Sequence, residues 1–166
     1  MILAIDVHYA ENSALIAGLI FQQWDSTTPT RIYSKHIHPI ADYESGNFYK
    51  RELPCILALL QDITDPIDCI VIDGYVSLGH DNKAGLGVYL WQSLTTKIPV
   101  IGVAKNYFKD TPKACEILRG QSLKPLYITT IGIDLEQAKQ YILEMSGQHR
   151  IPTLLKLVDQ KSREFL

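Results

Sequence analysis

Cys69-Ile-Val-Ile-Asp-Gly-Tyr75 is the stretch that decides how this chain reads. Residues 69–72 form an unbroken apolar run, which predicts a strand buried on both faces, and Asp73 closes it. A carboxylate at the end of a buried strand is costly unless its charge is compensated. Met1-Ile-Leu-Ala-Ile-Asp6 follows the same pattern. Two such strands predict two carboxylates at one sheet edge, beyond the carboxyl ends where open α/β sheets bind ligands. Carboxylates brought that close repel, and one stays protonated unless a cation lies between them. Hard oxygen ligands suit an ion such as Mg2+, so Asp6 and Asp73 are the candidate metal ligands.

The 166 residues suit one domain, 1–166, around one core. A chain that is 46% hydrophobic and 20% charged has the composition of an ordinary globular protein. No apolar run reaches membrane-spanning length, so no membrane partner is expected. The N-terminus begins as a strand without a basic region before it, which argues against a secretory signal. Cys55, Cys69 and Cys115 are an odd number set among apolar neighbours, as expected of reduced core cysteines in a cytoplasmic, monomeric protein. No CxxC pair is present, which argues against zinc. A net charge of −2 does not favour nucleic-acid binding, yet acids clustered at a metal-dependent centre would lower the total. Basic residues group locally at Lys50 and Arg51, at Lys105 and Lys109, and between Arg150 and Arg163.

Outward from the two strands, Tyr9 to Ser13 reads as a polar turn. Ala14 to Trp24 reads as a second strand with Gly18 as a bulge. Arg31 to His38 alternates, as a third strand with one wet face would. Leu53, Ile56, Leu57 and Leu60 form the apolar stripe of a helix over about 49–63. Pro54 belongs near its first turn, and Glu52 near its start, where the helix dipole tolerates an acid. Gly74 to Gly85 reads as a loop, Leu86 to Thr95 as a helix, and Val100 to Ala104 as a buried strand ending at Lys105. A hairpin follows around Arg119-Gly-Gln-Ser122, then a helix capped by Asp134 and a last helix capped by Thr153.

Strand ends thus supply Asp6, Asp73 and Lys105, and helices supply Glu52 and Asp159. Acids with one lysine fit phosphoryl chemistry, in which a metal polarises the phosphate and a lysine offsets charge developing on oxygen. A three-strand antiparallel meander, a helix and then parallel strands is the order of the ribonuclease-H-like α/β fold, a mixed central sheet flanked by helices.

With those residues in view, the chain resembles the endonuclease V family, metal-dependent nucleases acting at deaminated purines. Asp6 fits that family's first metal ligand. Tyr43-Glu-Ser-Gly-Asn-Phe-Tyr-Lys-Arg-Glu-Leu-Pro54 is similar to its stretch of tyrosine, glycine and Arg-Glu-x-Pro. Ile-Val-Ile-Asp-Gly with His80 resembles its Val-Asp-Gly-His segment. Ile101-Gly-Val-Ala-Lys105 resembles its Ile-Gly-Val-Ala-Lys motif, and His149-Arg-Ile-Pro152 with Asp159 resembles its Arg-Leu-Pro segment. The resemblance implies Mg2+ (or Mn2+) on Asp6 and Asp73, with Glu52, Lys105 and Asp159 completing the catalytic set. Tyr43 would be a wedge at the lesion, with Gly46, Arg51 and His80 as further substrate contacts. The implied partner is DNA or RNA carrying inosine, cut on the 3′ side of the deaminated base to leave 3′-hydroxyl and 5′-phosphate ends.

Three segments depart from the family pattern. Asp42 and Ser45 stand where prolines usually flank the wedge tyrosine. Tyr75 replaces the usual histidine after Asp-Gly, and Asp81-Asn82-Lys83 stands in place of a His-Pro-Arg segment. They leave open a structure-dependent nuclease, or a nucleic-acid-binding relative, without inosine preference. A receiver-type signalling module also combines strand-end aspartates with threonine and lysine, but Lys105 precedes Thr129 and Thr130 where a receiver needs the reverse.

Overall fold

The structure, a computed structural model, describes residues 1–40, 42 and 49–164. Among the described residues nine strands and four α-helices follow one another as β1 (Ile2–Ala10), β2 (Ser13–Phe21), β3 (Arg31–Ile37), α1 (Tyr49–Leu60), β4 (Cys69–Asp73), β5 (Ser77–Leu78), β6 (Lys83–Ala84), α2 (Leu86–Ser93), β7 (Val100–Ala104), β8 (Glu116–Ile117), β9 (Leu126–Ile131), α3 (Leu135–Glu144) and α4 (Thr153–Ser162). The central sheet has the order β3-β2-β1-β4-β7-β9-β8. The pairs β2–β3, β1–β2, β7–β9 and β8–β9 are antiparallel, whereas β1, β4 and β7 run parallel. This is the mixed α/β sheet expected of the ribonuclease-H-like fold. Among the described residues no helix is long and apolar enough to cross a membrane.

Strand periodicity sorts the core into two layers. Ile2, Ala4, Val71, Ile101 and Val103 face α3 and α4, where Ala138, Ile142, Leu154 and Val158 cover them. Leu3, Ile5, Ile70, Ile72 and Val100 face α1 and α2, where Ile56, Leu59, Leu86 and Leu90 cover them. With both faces covered, the parallel strands are apolar throughout, which explains the unbroken runs in the sequence.

Several local expectations are corrected. The turn after β1 is only Glu11-Asn12, because β1 and β2 pair along their whole length, from Ile2–Phe21 to Ala10–Ser13. Tyr9 and Ala10 therefore extend the strand, and Glu11 turns the chain with a φ of 41°. Gly18 forms no bulge: it pairs in register with Ile5 and Tyr33. Its missing side chain serves packing, since a Cβ there would meet Leu59 Cδ2 at 3.0 Å and Leu3 Cδ1 at 3.1 Å. β2 ends at Phe21, and Trp24 instead turns back to stack on Tyr141, with centroids 4.7 Å apart. Pro54 is the sixth residue of α1, past the first turn, and the helix continues through it to Leu60. The loop 74–85 contains the small β5–β6 hairpin. Asp134 caps α3 as expected, accepting from the Gln137 N–H at 3.1 Å. Thr153 does not cap α4: Pro152 holds the cap position, and the Thr153 N–H donates to Ser146 O at 2.9 Å. α4 ends at Ser162.

Candidate active site

The parallel ladder fixes the centre of the site. β1 pairs with β4 up to Ile5–Ile72, so Asp6 and Asp73 occupy the next step on adjacent strands. Asp6 shares the facing of Ala4, and Asp73 that of Val71, which is the α4 side. One strand further, Asp73 pairs with Val103, two residues before Lys105. The Lys105 ammonium lies 3.8 Å from Asp73 Oδ1. A small cavity of about 20 Å³ opens here, lined by Asp6, Asp73, Lys105, Ile151, Leu155 and Val158. Asp159, next to Val158 on α4, is hydrogen-bonded to Asp6 and accepts from Arg163 Nε at 3.2 Å. Glu52 approaches from the opposite face, in the first turn of α1, and lines a second, water-sized cavity of about 10 Å³ with Asp6 and Asp73.

Two glycines let the chain leave the strand ends this tightly. Gly74 takes a φ of +119°, a conformation that side-chain-bearing residues rarely adopt. The turn then crosses directly over Gly102 of β7, where a Cβ would stand 2.4 Å from Gly74 O and 2.8 Å from Thr129 Oγ1. The Thr129 hydroxyl accepts from the Val76 N–H at 2.8 Å, which completes the crossing.

Burial and repulsion set the protonation of the acids. Asp6 is only 8% exposed. Burial, the Asp73 charge and the hydrogen bond with Asp159 push its pKa up to about 8, against the pull of Lys105. Burial and Asp73 push Glu52 up to about 7, with Arg51 opposing. Asp73 is raised, chiefly by burial and further by the Asp159 charge, although 44% of its side chain is exposed and Lys105 partly compensates. Asp159 goes the other way: burial opposes its charge, but bonds from Asp6 and Arg163 and the Lys105 charge hold it below the usual carboxylate range. Burial and the neighbouring charges thus favour the protonated form of Asp6 beside an ionised Asp159.

This arrangement fits a divalent cation. A proton held by crowded acids is what a cation would replace, and the donors are hard carboxylate oxygens. Among the described residues no three His, Cys, Asp or Glu side chains form a preformed cage. An open pair of carboxylates is how Mg2+ is usually held, with water and substrate phosphate filling the remaining positions.

Beside the acids runs a groove of about 480 Å³, whose lining includes Tyr49, Glu52, Asp73, Tyr75, Lys83 and Phe108. Arg51 packs its guanidinium 3.9 Å from the centre of the Tyr9 ring. His80 stands exposed at the tip of the β5–β6 hairpin and does not line this groove, whereas Lys83 of the same hairpin does. Tyr43 and Gly46 lie outside the described residues. Sequence reading noted Tyr75 only as a departure from the family pattern, and it assigned no role to Tyr9 or Arg119. Tyr9 could have been found from its place three residues after Asp6, on the strand that carries that acid.

The profile of the family described as Endonuclease V matches residues 1–124. An endonuclease V of Streptomyces avermitilis is 32% identical, the match covering 75% of this chain and 62% of that protein. One from Streptomyces coelicolor is 30% identical, covering 75% and 60%. The chain thus spans about 60% of the length of these curated relatives. Among solved structures, Ciona intestinalis endonuclease V in complex with a 24mer DNA containing an inosine superposes with a TM-score of 0.80 at 18% identity, covering 98% of this chain and 84% of that one. The Bacillus subtilis endonuclease V gives 0.78 at 20% identity, covering 97% and 78%.

Proposed function

The chain belongs to the endonuclease V family, and on that premise we propose that it is a single-domain, Mg2+-dependent endonuclease cutting DNA or RNA on the 3′ side of inosine. The observation that carries this reading is the placing of Asp6 and Asp73 on one face of adjacent strand ends, with the Lys105 ammonium 3.8 Å from Asp73. Kinship with proteins named endonuclease V, one of them held in complex with inosine-containing DNA, supports the substrate class.

In this reading Asp6 and Asp73 hold the metal, with Asp159 steadying Asp6 through their shared hydrogen bond. When bound, the ion polarises the phosphate and stabilises its growing negative charge. Glu52, with its pKa near 7, can accept a proton from the attacking water at neutral pH. Water oxygen bonds to phosphorus, and the bond from phosphorus to the 3′ oxygen breaks. The lysine charge faces the leaving oxygen, which takes up a proton to become the 3′-hydroxyl while the 5′-phosphate departs on the other strand piece. Arg51, Lys83 and the groove beside Asp73 receive the substrate backbone.

Matched single strands with and without one inosine, made as DNA and as RNA, test the proposal in Mg2+ and in EDTA. Metal-dependent cutting at one position 3′ to inosine is expected. Cutting that ignores inosine would replace the specificity by a structure-dependent one, and cutting in EDTA would remove the metal from the account.

A further inference from the structure

The carboxyl end of β7 is held at two consecutive peptide carbonyls. The Arg150 guanidinium donates to the Lys105 carbonyl at 2.5 Å and to the Pro125 carbonyl at 2.8 Å, and its Nε donates to the Lys124 carbonyl at 3.0 Å. One residue further, the Tyr75 hydroxyl donates to the Asn106 carbonyl at 2.6 Å and accepts from the Phe108 N–H at 3.1 Å. The Tyr75 ring lies beside those of Phe108 and Tyr127, with centroids 6.0 and 6.5 Å away. Arg150 is itself presented by a tied loop: the buried Arg119 donates to the carbonyls of Met145 and His149 at 2.6 Å each and of Gly147 at 3.2 Å.

We propose that Tyr75 and Arg150 are positioning residues for Lys105, forming a two-point clamp on the two peptides that follow it. The inference rests on the nuclease reading above, in which Lys105 faces the leaving oxygen. A lysine side chain is a flexible four-carbon stem. Its ammonium keeps station near Asp73 only if the backbone that carries it is fixed. Arg150 fixes the Lys105 peptide from the α4 side, and Tyr75 fixes the next one from the end of β4. Both acids and the lysine are thereby referred to one frame, because Tyr75 leaves the same strand as Asp73. The para hydroxyl of Tyr75 makes the contact to the 106–108 segment.

Single-turnover cleavage of an inosine-containing strand in saturating Mg2+ tests the clamp in wild type, Y75F, R150K, K105A and the Y75F/K105A double variant. A misplaced catalytic group costs roughly ten- to a hundredfold. Y75F is expected to slow cleavage about tenfold while substrate Kd stays within about twofold, the lower end of that range. R150K, which keeps a cation but not the fork, is expected to fall in the same direction. In the K105A background Y75F is expected to add nothing, because residues acting through one group are not additive. An additive loss in the double variant, or a loss carried by Kd alone, overturns the proposal. Y75F cutting at the wild-type rate overturns it and leaves the nuclease reading standing. A wild type that cuts no strand overturns the nuclease reading, and the proposal with it. Amide hydrogen exchange without substrate gives a second readout: faster exchange at Phe108 in Y75F, with β1 and α1 unchanged, is expected. Unchanged exchange at Phe108, or a rise throughout the protein, overturns the clamp whatever cleavage shows.

Discussion

Asp6 and Asp73 stand one step beyond the last paired residues of two neighbouring parallel strands, with both side chains on the face that α4 covers. Because the strands are parallel, both carboxylates arrive at the same end of the sheet. Because the step is the same on each strand, they also share a face. The electrostatics of the site follow from this pairing: a buried Asp6 whose protonated form is favoured, an Asp159 held below the usual carboxylate range, and a lysine drawn to Asp73.

Asp73→Asn removes one half of that pair while keeping its shape. Cleavage is expected to fall about 10²-fold or more, the scale on which single electrostatic groups act in catalysis. Substrate binding is expected to persist, and the thermal midpoint to hold or rise, since a repulsive charge is lost. Gel-shift and cleavage assays on the same preparation read both, and normal cutting would remove Asp73 from the catalytic set.

The stability of the metal-free protein carries a pH signature. Asp6 and Glu52 bind protons more tightly folded, near 8 and 7, than their ordinary values of 3.8 and 4.5. Over that interval the unfolded chain holds fewer protons than the folded one, so stability falls as pH rises. Their contribution is complete below their ordinary values and is lost as pH passes through about 7 to 8. The thermal midpoint in EDTA is expected to drop from pH 5 to pH 8.5, and Asp6→Asn to flatten the drop. Mg2+ is expected to raise the midpoint more at pH 8.5 than at pH 5.5, because it replaces those protons. A midpoint that climbs across this range in EDTA would contradict the protonation scheme.

Lys105→Met separates attraction for metal from catalysis. The lysine ammonium competes with a cation for Asp73 at 3.8 Å. Calorimetric titration with Mn2+ is expected to show tighter binding in the variant, by a few-fold, while cleavage slows about tenfold or more. Weaker metal binding would mean that the lysine organises the acids rather than competing for them.

Gly102→Ala places a methyl group 2.4 Å from the backbone oxygen of Gly74 and 2.8 Å from Thr129 Oγ1 on β9. Overpacking of this kind costs about 1–3 kcal/mol, and urea unfolding is the measurement. Thr129→Val, which leaves the buried Val76 N–H unpaired, is expected to cost a similar ~1–3 kcal/mol. Full stability in Gly102→Ala would mean that the 74–76 turn can move aside.

What was legible in advance had local causes. The apolar runs before Asp6 and Asp73 follow from burial on both faces, and the Asp134 cap follows from a side chain reaching three residues ahead. Glu52 falls in the first turn of α1 as expected. Local reading failed where pairing or packing overruled it. The polar segment after Asp6 extends β1 because β2 lies alongside, Gly18 answers to Leu59 across the layer, and Thr153 loses its cap to Pro152. The groups that fasten the site were hidden for another reason. Arg119, Arg150 and Tyr75 bond chiefly to backbone atoms far away in the chain. Every residue carries such a carbonyl, so no spacing or residue type marks the partner.

The sequence by itself determined that two buried strands end in aspartate and that a third ends in lysine, because burial on both faces demands an apolar run and leaves its polar end residue conspicuous. Only the tertiary structure decided that these ends meet on one face beside Asp159, with Glu52 entering from the other. It also decided which acid keeps a proton. Strand register and charge coupling are set between segments distant along the chain, and local residue patterns carry no record of them.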